Sequence, residues 1–223
     1  MKISELKKDF DKFSLFIDSL DMPEGSIYGI IGSNGSGKTT LMKLMAGVLT
    51  PDSGSIDYEG LTAQDITMIF RKPYLMHESV LKNILYPLKI RKIKPDMEYV
   101  EHLLEISGLQ DLRDEYALTL SGGEQQKLSL IRAVVFSPKL IFIDEGFSNM
   151  DIESVSVFED FILEMQKTQK ITWVITSHQL SVIKRLCNHV FFMYYGSIKA
   201  QGSTESMLLQ PELPELKQYL QHV

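Results

Sequence analysis

A single cysteine, Cys187, stands among 223 residues, which excludes an internal disulfide. A reducing compartment suits such a chain. Cys187 lies near the end of a helical pattern and reads as a buried, inert thiol rather than a nucleophile. No run approaches the ~18 apolar residues of a membrane span. Residues 1–9 carry charges throughout and lack an apolar signal-peptide core. A cytoplasmic location is expected, with any membrane role exercised through a partner. A basic excess is also missing: the net charge of −6 argues against a protein that grips nucleic-acid phosphates. There is no internal repeat and no low-complexity segment. What remains is the balance of an ordinary globular chain, 44% apolar and 23% charged, with ample length for a buried core.

One stretch organises the rest. Gly32-Ser33-Asn34-Gly35-Ser36-Gly37-Lys38-Thr39-Thr40 fits the pattern G-x-x-x-x-G-K-[ST]. A β-prone run at 26–31 precedes it and good helix formers at 41–46 follow, so strand, glycine loop and helix arrive in the required order. Glycines let backbone N–H groups turn inward around an anion, and the helix N-terminus adds partial positive charge. Lys38 can reach the β- and γ-phosphates of a nucleotide, and the Thr39 hydroxyl can ligate Mg²⁺. Such turns also occur without a ligand, but the Lys-Thr pair and both flanks favour nucleotide binding.

Along the chain, strands are expected near 3–6, 13–20, 26–31, 55–58 and 65–70. From about 79 to 136 the period turns helical. Val80, Leu81, Ile84, Leu85 and Leu88 recur at spacings of three and four, and a second helix after Pro95-Asp96 ends near Gly108. Strand patterns return at 140–143, 171–176 and 190–194, separated by helical runs at 152–167 and 179–187. Alternating strands and helices predict a mainly parallel sheet covered on both faces. Residues 194–198 read as a late hairpin turn, and the Pro-flanked tail as a surface appendage.

Leu140-Ile141-Phe142-Ile143-Asp144-Glu145 is an apolar strand ending in two carboxylates. In a parallel α/β sheet it delivers them to the edge that carries the glycine loop. Asp144 is then placed to hold Mg²⁺, directly or through water, and Glu145 to orient or deprotonate an attacking water. An acidic helix N-cap is the competing explanation. Ser121-Gly122-Gly123-Glu124 opens another helix as a capping box. A cap does not explain two successive glycines, which leave N–H groups open at a second potential anion site. One nucleotide cannot easily use both sites if they lie far apart; two chains head-to-tail could.

These residues resemble the nucleotide-binding subunits of ABC transporters over nearly the whole chain. The carriers are the phosphate loop, L-S-G-G-E at 120–124, I-F-I-D-E at 141–145, S-N-M-D at 148–151 and the lone His178. The resemblance implies an α/β P-loop fold of the ABC type. It has a mainly parallel core sheet, an N-terminal antiparallel β part and an inserted helical subdomain at about 73–136. Residues 1–223 would form one such domain, with a helical tail at about 203–223. It implies ATP and Mg²⁺ as cofactors and a dimer sandwiching two ATP molecules. Each nucleotide would lie between one phosphate loop and the partner's signature segment, with Ser121 and Gly123 on the γ-phosphate and Gly122 and Glu124 beside them. Glu145 would be the general base, Asp151 the link between sites, and His178 a γ-phosphate contact. His77, His102, His189 and His222 lack such a setting. Phe10 resembles the aromatic that stacks on adenine, with Phe13 as competitor.

This chain departs from the family in placing Arg71 where Gln normally meets Mg²⁺ and the attacking water. A guanidinium has donors only and cannot ligate a cation. Arg71 has three candidate partners: the γ-phosphate, Glu145 or a transmembrane subunit. Mg²⁺ would then rest on Thr39, phosphate oxygens and water, with turnover slow or partner-dependent. Gly146 and Asn149 stand where the family often has Pro and Ala, with modest consequences expected. The segments 72–76 and 80–88 look like those of importer subunits, especially for oxyanions such as tungstate or molybdate. Tyr74, Leu75 and Met76 would dock a permease helix, or serve as core under a loop. The expected partners are a second copy or paired ATPase, permease subunits at the inner face of the membrane, and an extracytoplasmic substrate-binding protein, with no nucleic acid. Non-transport ABC ATPases, and regulatory ones with little hydrolysis, are the competing classes. The first usually carry coiled-coil insertions or tandem cassettes, and this chain has one compact cassette.

Overall fold

The computed structural model describes residues 1–148 and 150–222. The chain begins as an antiparallel hairpin of β1 (Lys2–Phe10) and β2 (Phe13–Asp21), with Phe10 opposite Phe13 across a tight turn. β1 runs past the expected end at Leu6 although Lys7, Lys8 and Asp9 are polar. Pairing with β2 holds its backbone, and the charges are met across the sheet surface, Lys8 Nζ by Asp52 at 2.6 Å and Asp9 by the Ser14 hydroxyl. Tertiary pairing has overridden local propensity there.

β3 (Ile27–Ile31) leads through the glycine loop into α1 (Lys38–Met45). β4 (Ser53–Asp57) pairs with β1 and completes a three-stranded sheet in the order β2-β1-β4. After β5 (Ile66–Ile69) comes the helical insertion of α2 (Val80–Ile90), α3 (Met97–Ser107) and α4 (Gly122–Val134). Then follow β6 (Leu140–Asp144), α5 (Ile152–Gln169), β7 (Thr172–Thr176), α6 (Leu180–Leu186), β8 (His189–Tyr194) and β9 (Ser197–Ser203). α7 (Thr204–Leu209) and α8 (Pro214–Gln221) form the tail. The second sheet has six strands in the order β5-β6-β7-β3-β8-β9, parallel apart from the β8–β9 hairpin.

Every residue of β3, β6 and β7 is buried, as a parallel sheet covered on both faces requires. Side chains alternate between two cores with the period of a strand. Leu140, Phe142 and Val174 face the antiparallel sheet and α1, whereas Ile141, Ile143, Trp173 and Ile175 face the helical insertion and α5. Cys187 is buried beside Gly29, and burial pushes its thiol pKa up, so the inert reading holds.

The helical insertion is capped where the sequence signals it. Ser79 accepts from Lys82 N, Asp96 accepts from Glu98 N and Tyr99 N, and Gly108 ends α3 in the left-handed conformation. Asn83, fully buried on α2, is a polar hub. Its Oδ1 accepts from Met76 N at 2.8 Å and from Arg132 of α4 at 3.2 Å, while Nδ2 donates to the carbonyls of Met76, Glu78 and Ser79. The loop before α2 and the helix α4 are thereby tied to one side chain.

The tail is not the surface appendage expected. Met207 of α7 and Leu216 of α8 are buried in the core that contains Trp173, and the Tyr219 ring lies 5.7 Å from that of Phe192. Single apolar residues at wide spacing, on either side of Pro211 and Pro214, give no strong periodic signal, yet Met207 and Leu216 are buried against the core. Leu216→Ala is expected to cost about 3 kcal/mol of stability, read as a lowered urea midpoint with an unchanged slope.

Candidate nucleotide site

The phosphate loop is shaped by close approach from its neighbours. Gly32 has φ 148°, and a Cβ there would stand 2.2 Å from the Met193 carbonyl of β8. Gly37 has φ 105°, and a Cβ there would stand 2.8 Å from Cζ of Phe13. Neither position admits a side chain. Lys38 Nζ donates to the carbonyls of Gly32 at 2.7 Å and Ser33 at 3.1 Å, so its ammonium lies curled over the loop. Burial lowers the Lys38 pKa, and the carboxylates of Glu145 and Asp144 oppose that shift. A partly desolvated ammonium over a glycine loop at a helix N-terminus fits a phosphate chain.

Behind the loop the parallel register lines up three polar side chains. Asp144 and Thr176 are partners across β6 and β7. The Thr176 hydroxyl donates to Asp144 Oδ1 at 2.8 Å and accepts from Glu145 N at 3.0 Å. The Thr39 hydroxyl donates to the same Asp144 oxygen at 3.1 Å. Thr39 and Asp144 thus present adjoining oxygens, a donor set that suits a hard cation such as Mg²⁺. Among the described residues no cluster of three or more His, Cys, Asp or Glu could hold a metal ion. The remaining ligands of such a cation must be phosphate oxygens and water.

Glu145 is almost buried and sits in the left-handed region, φ 52°, a conformation costly for a glutamate. Its backbone is held there by Thr176, and its carboxylate faces an imidazole and a guanidinium. His178 Nε2 lies 2.9 Å from Oε1 and Arg71 Nε 3.1 Å from Oε2. The Arg71 contact is a charge pairing rather than an aligned hydrogen bond, because Oε2 finds no hydrogen-bond donor in proper geometry. Of the three partners open to Arg71, Glu145 is the one that belongs to this chain, and the two side chains are paired.

A cleft of about 720 Å³ joins these parts, lined by Lys12, Phe13, Asn34, Gly35, Gly37, Lys38, Thr39, Thr40, Arg71, Glu145 and Tyr195. Phe13, not Phe10, lines it; Phe10 lies outside with its ring 6.2 Å from that of Phe13. The tight turn at Asp11 and Lys12 reverses the chain between the two rings, and position in sequence could not tell which faces the loop. Lys12, Thr176 and Tyr195 were not anticipated as site residues. Thr176, a polar residue closing an apolar strand, carried a usable signal.

The signature segment lies apart from this cleft. Ser121 caps α4, accepting from Glu124 N at 3.3 Å while Glu124 Oε2 accepts from Ser121 N at 2.8 Å. These bonds hold the Glu124 carboxyl below the usual range. Gly122 is exposed, and a Cβ there would meet no atom within 4 Å. Asp151 caps α5, accepting from Ser154 N and its hydroxyl at 2.8 and 2.6 Å, which lowers its pKa. Gly146 is packed, with Ile143 Cγ2 2.5 Å from where its Cβ would lie; Asn149 is outside the described residues. Tyr74 is 67% exposed beside Phe70, whereas Leu75 and Met76 are half-buried, Leu75 against the core. Among the described residues no helix is long and apolar enough to cross a membrane.

A phosphate loop between a buried parallel strand and a helix, with a carboxylate pair on a neighbouring strand end, defines a P-loop nucleotide hydrolase. A family model described as ABC transporter matches residues 16–148, more than half of the chain. The chain belongs to the ABC transporter family, as an ATP-binding subunit with the ATPase fold. The tungstate uptake system ATP-binding protein TupC of Peptoclostridium acidaminophilum is 34% identical over 203 residues, 88% of this chain and 95% of that protein. The methionine import ATP-binding protein MetN of Wolinella succinogenes is 31% identical over 218 residues, 91% of this chain and 71% of that protein. The solved structure of cbiO1 from Clostridium perfringens, part of the ABC transporter complex cbiONQ, has a TM-score of 0.78 at 26% identity, covering 95% of this chain and 91% of that one.

Thr176→Val removes the donor to Asp144 and one acceptor for Glu145 N. It should destabilise the fold by about 1–3 kcal/mol, measured by chemical denaturation, while Thr176→Ser retains most of the stability.

Proposed function

We propose that this chain drives import through separate membrane subunits, hydrolysing ATP in a head-to-tail dimer. The observation that carries the dimer is Gly122. Among the described residues none packs where a side chain at 122 would lie, and the N-terminus of α4 is open to solvent and outside the phosphate cleft. A bare helix N-terminus suits a phosphate supplied from across an interface. Ser121, Gly122, Gly123 and Glu124 would complete the site of a second copy.

In the composite site Lys38 and the loop N–H groups hold the β- and γ-phosphates. Thr39 and Asp144 hold Mg²⁺, which neutralises charge on the phosphate oxygens when bound. Glu145 accepts a proton as water attacks the γ-phosphorus and the bond to the β-phosphate oxygen breaks. His178, already beside Glu145, contacts the γ-phosphate, and Asp151 links the two sites. Loss of the bridging γ-phosphate reopens the dimer, and a partner that prefers one state is driven between them.

Tyr74, exposed on a loop tied down by Asn83, is the contact offered to a permease subunit at the inner face of the membrane. Import is supported by TupC and MetN, which are named for uptake of tungstate and import of methionine. An oxyanion, delivered by an extracytoplasmic binding protein, is the substrate we favour, since TupC matches nearly end to end. Co-purification with permease subunits supports transport; none, with active ATPase, removes it.

A second reading, a regulatory ATPase with weak hydrolysis, is favoured by the Arg71–Glu145 pair, which engages the base. Arg71→Gln should raise steady-state ATPase several-fold and alter its Mg²⁺ dependence; an unchanged rate and Mg²⁺ dependence would refute a role for Arg71 in turnover. Glu145→Gln should trap an ATP-bound dimer on gel filtration, and only monomer with ATP present would count against the sandwich.

A further inference from the structure

At the rim of the cleft stands an aromatic side chain that the family's motifs do not cover. Tyr195 occupies the tip of the β8–β9 hairpin and lines the cleft together with Phe13 and Lys12. Its side chain is 80% exposed, so burial does not account for a large ring there. Its φ of 43° is left-handed, where Gly, Asn or Asp is the usual choice and a bulky side chain costs conformational energy. The backbone conformation of the hairpin therefore does not explain Tyr either.

The ring is nonetheless held in place. Gly196 N donates to the carbonyl of Ser36 in the phosphate loop at 2.9 Å, and Phe16 N donates to the Gly196 carbonyl at 2.8 Å. A Cβ on Gly196 would stand 2.1 Å from the Ser14 carbonyl, so the hairpin tip is pressed against β2. Tyr194 meets Tyr195 edge-on, centroids 4.6 Å apart at 87°, and is itself stacked on Phe192, whose other neighbour is Tyr219. Tyr195 is the outer end of an aromatic row anchored in the core. The backbone of the next residue, Gly196, is bonded to the loop that would hold the phosphates.

The cleft lining is chemically mixed. Lys12, Asn34, Lys38, Thr39, Arg71 and Glu145 supply polar and charged groups, while Phe13 and Tyr195 offer flat apolar faces. A nucleotide has the same mixture, an anionic chain joined to a flat base. Resting on the ATP site above, we propose that Tyr195 is a specificity-determining residue. It stacks on the nucleobase whose phosphates lie in the Gly32–Thr39 loop, with Phe13 as the second aromatic contact.

The test compares two ligands that share a pair of phosphates and differ in the nucleoside. ADP and inorganic pyrophosphate, each with Mg²⁺, are titrated calorimetrically into the purified full chain, where neither is turned over. Tyr195→Ala and Tyr195→Leu should each weaken ADP about ten-fold, the scale of a lost base stack, and leave pyrophosphate unchanged. Tyr195→Phe, which keeps the ring, should stay within about two-fold of wild type. Three results overturn the proposal: ADP affinity unchanged in Tyr195→Ala, an equal loss for pyrophosphate, or Leu performing as well as Phe. If wild type itself binds pyrophosphate but not ADP, the nucleotide site falls along with it. An effect confined to recovery of membrane subunits would make Tyr195 a protein contact instead, and also sinks the stacking role.

Discussion

The hydrogen bond from the Thr176 hydroxyl to Asp144 is the constraint on which the site depends. β6 and β7 are buried on both faces and can carry polar side chains only where they end. Their register sets Asp144 beside Thr176, and Thr176 in turn fixes the backbone of Glu145 in a conformation glutamate seldom adopts. Thr39 reaches the same carboxylate from α1. Four side chains from three segments therefore meet around one strand register rather than through local turn chemistry. A slip of one residue would turn the carboxylates into the core and the apolar side chains out.

Much of this was legible in the chain. The phosphate loop, the buried strand ending in Asp-Glu, the capping box at Ser121 and Glu124, and the helix end at Gly108 are all local patterns with local causes. What escaped was set by strands distant in sequence. Phe13 rather than Phe10 packs against Gly37 because a tight turn decides which ring meets the loop. Thr176 matters through a partner 32 residues away. Arg71 had three plausible partners, and its pairing with Glu145 depends on two segments far apart in sequence meeting at the sheet edge. The tail reads as polar and broken by proline, yet Met207 and Leu216 close the core.

The division between the two anion sites is a division of labour within one surface. The phosphate loop is enclosed by Met193, Phe13 and the Lys38 ammonium. The α4 terminus is open, and among the described residues none packs where a side chain at 122 would lie. Glu145, meanwhile, is held between the His178 imidazole and the Arg71 guanidinium, so the carboxylate already has partners within the chain.

Asn83 has a mechanical consequence. Its single amide joins the loop that ends at Tyr74–Met76 to Arg132, near the far end of α4 from Ser121. The helix between is about 16 Å of rigid rod at 1.5 Å per residue. A push on the exposed Tyr74 loop would therefore be felt at one end of a rod whose other end is Ser121. The joint is buried and bonded within the protein, so it has little room to give.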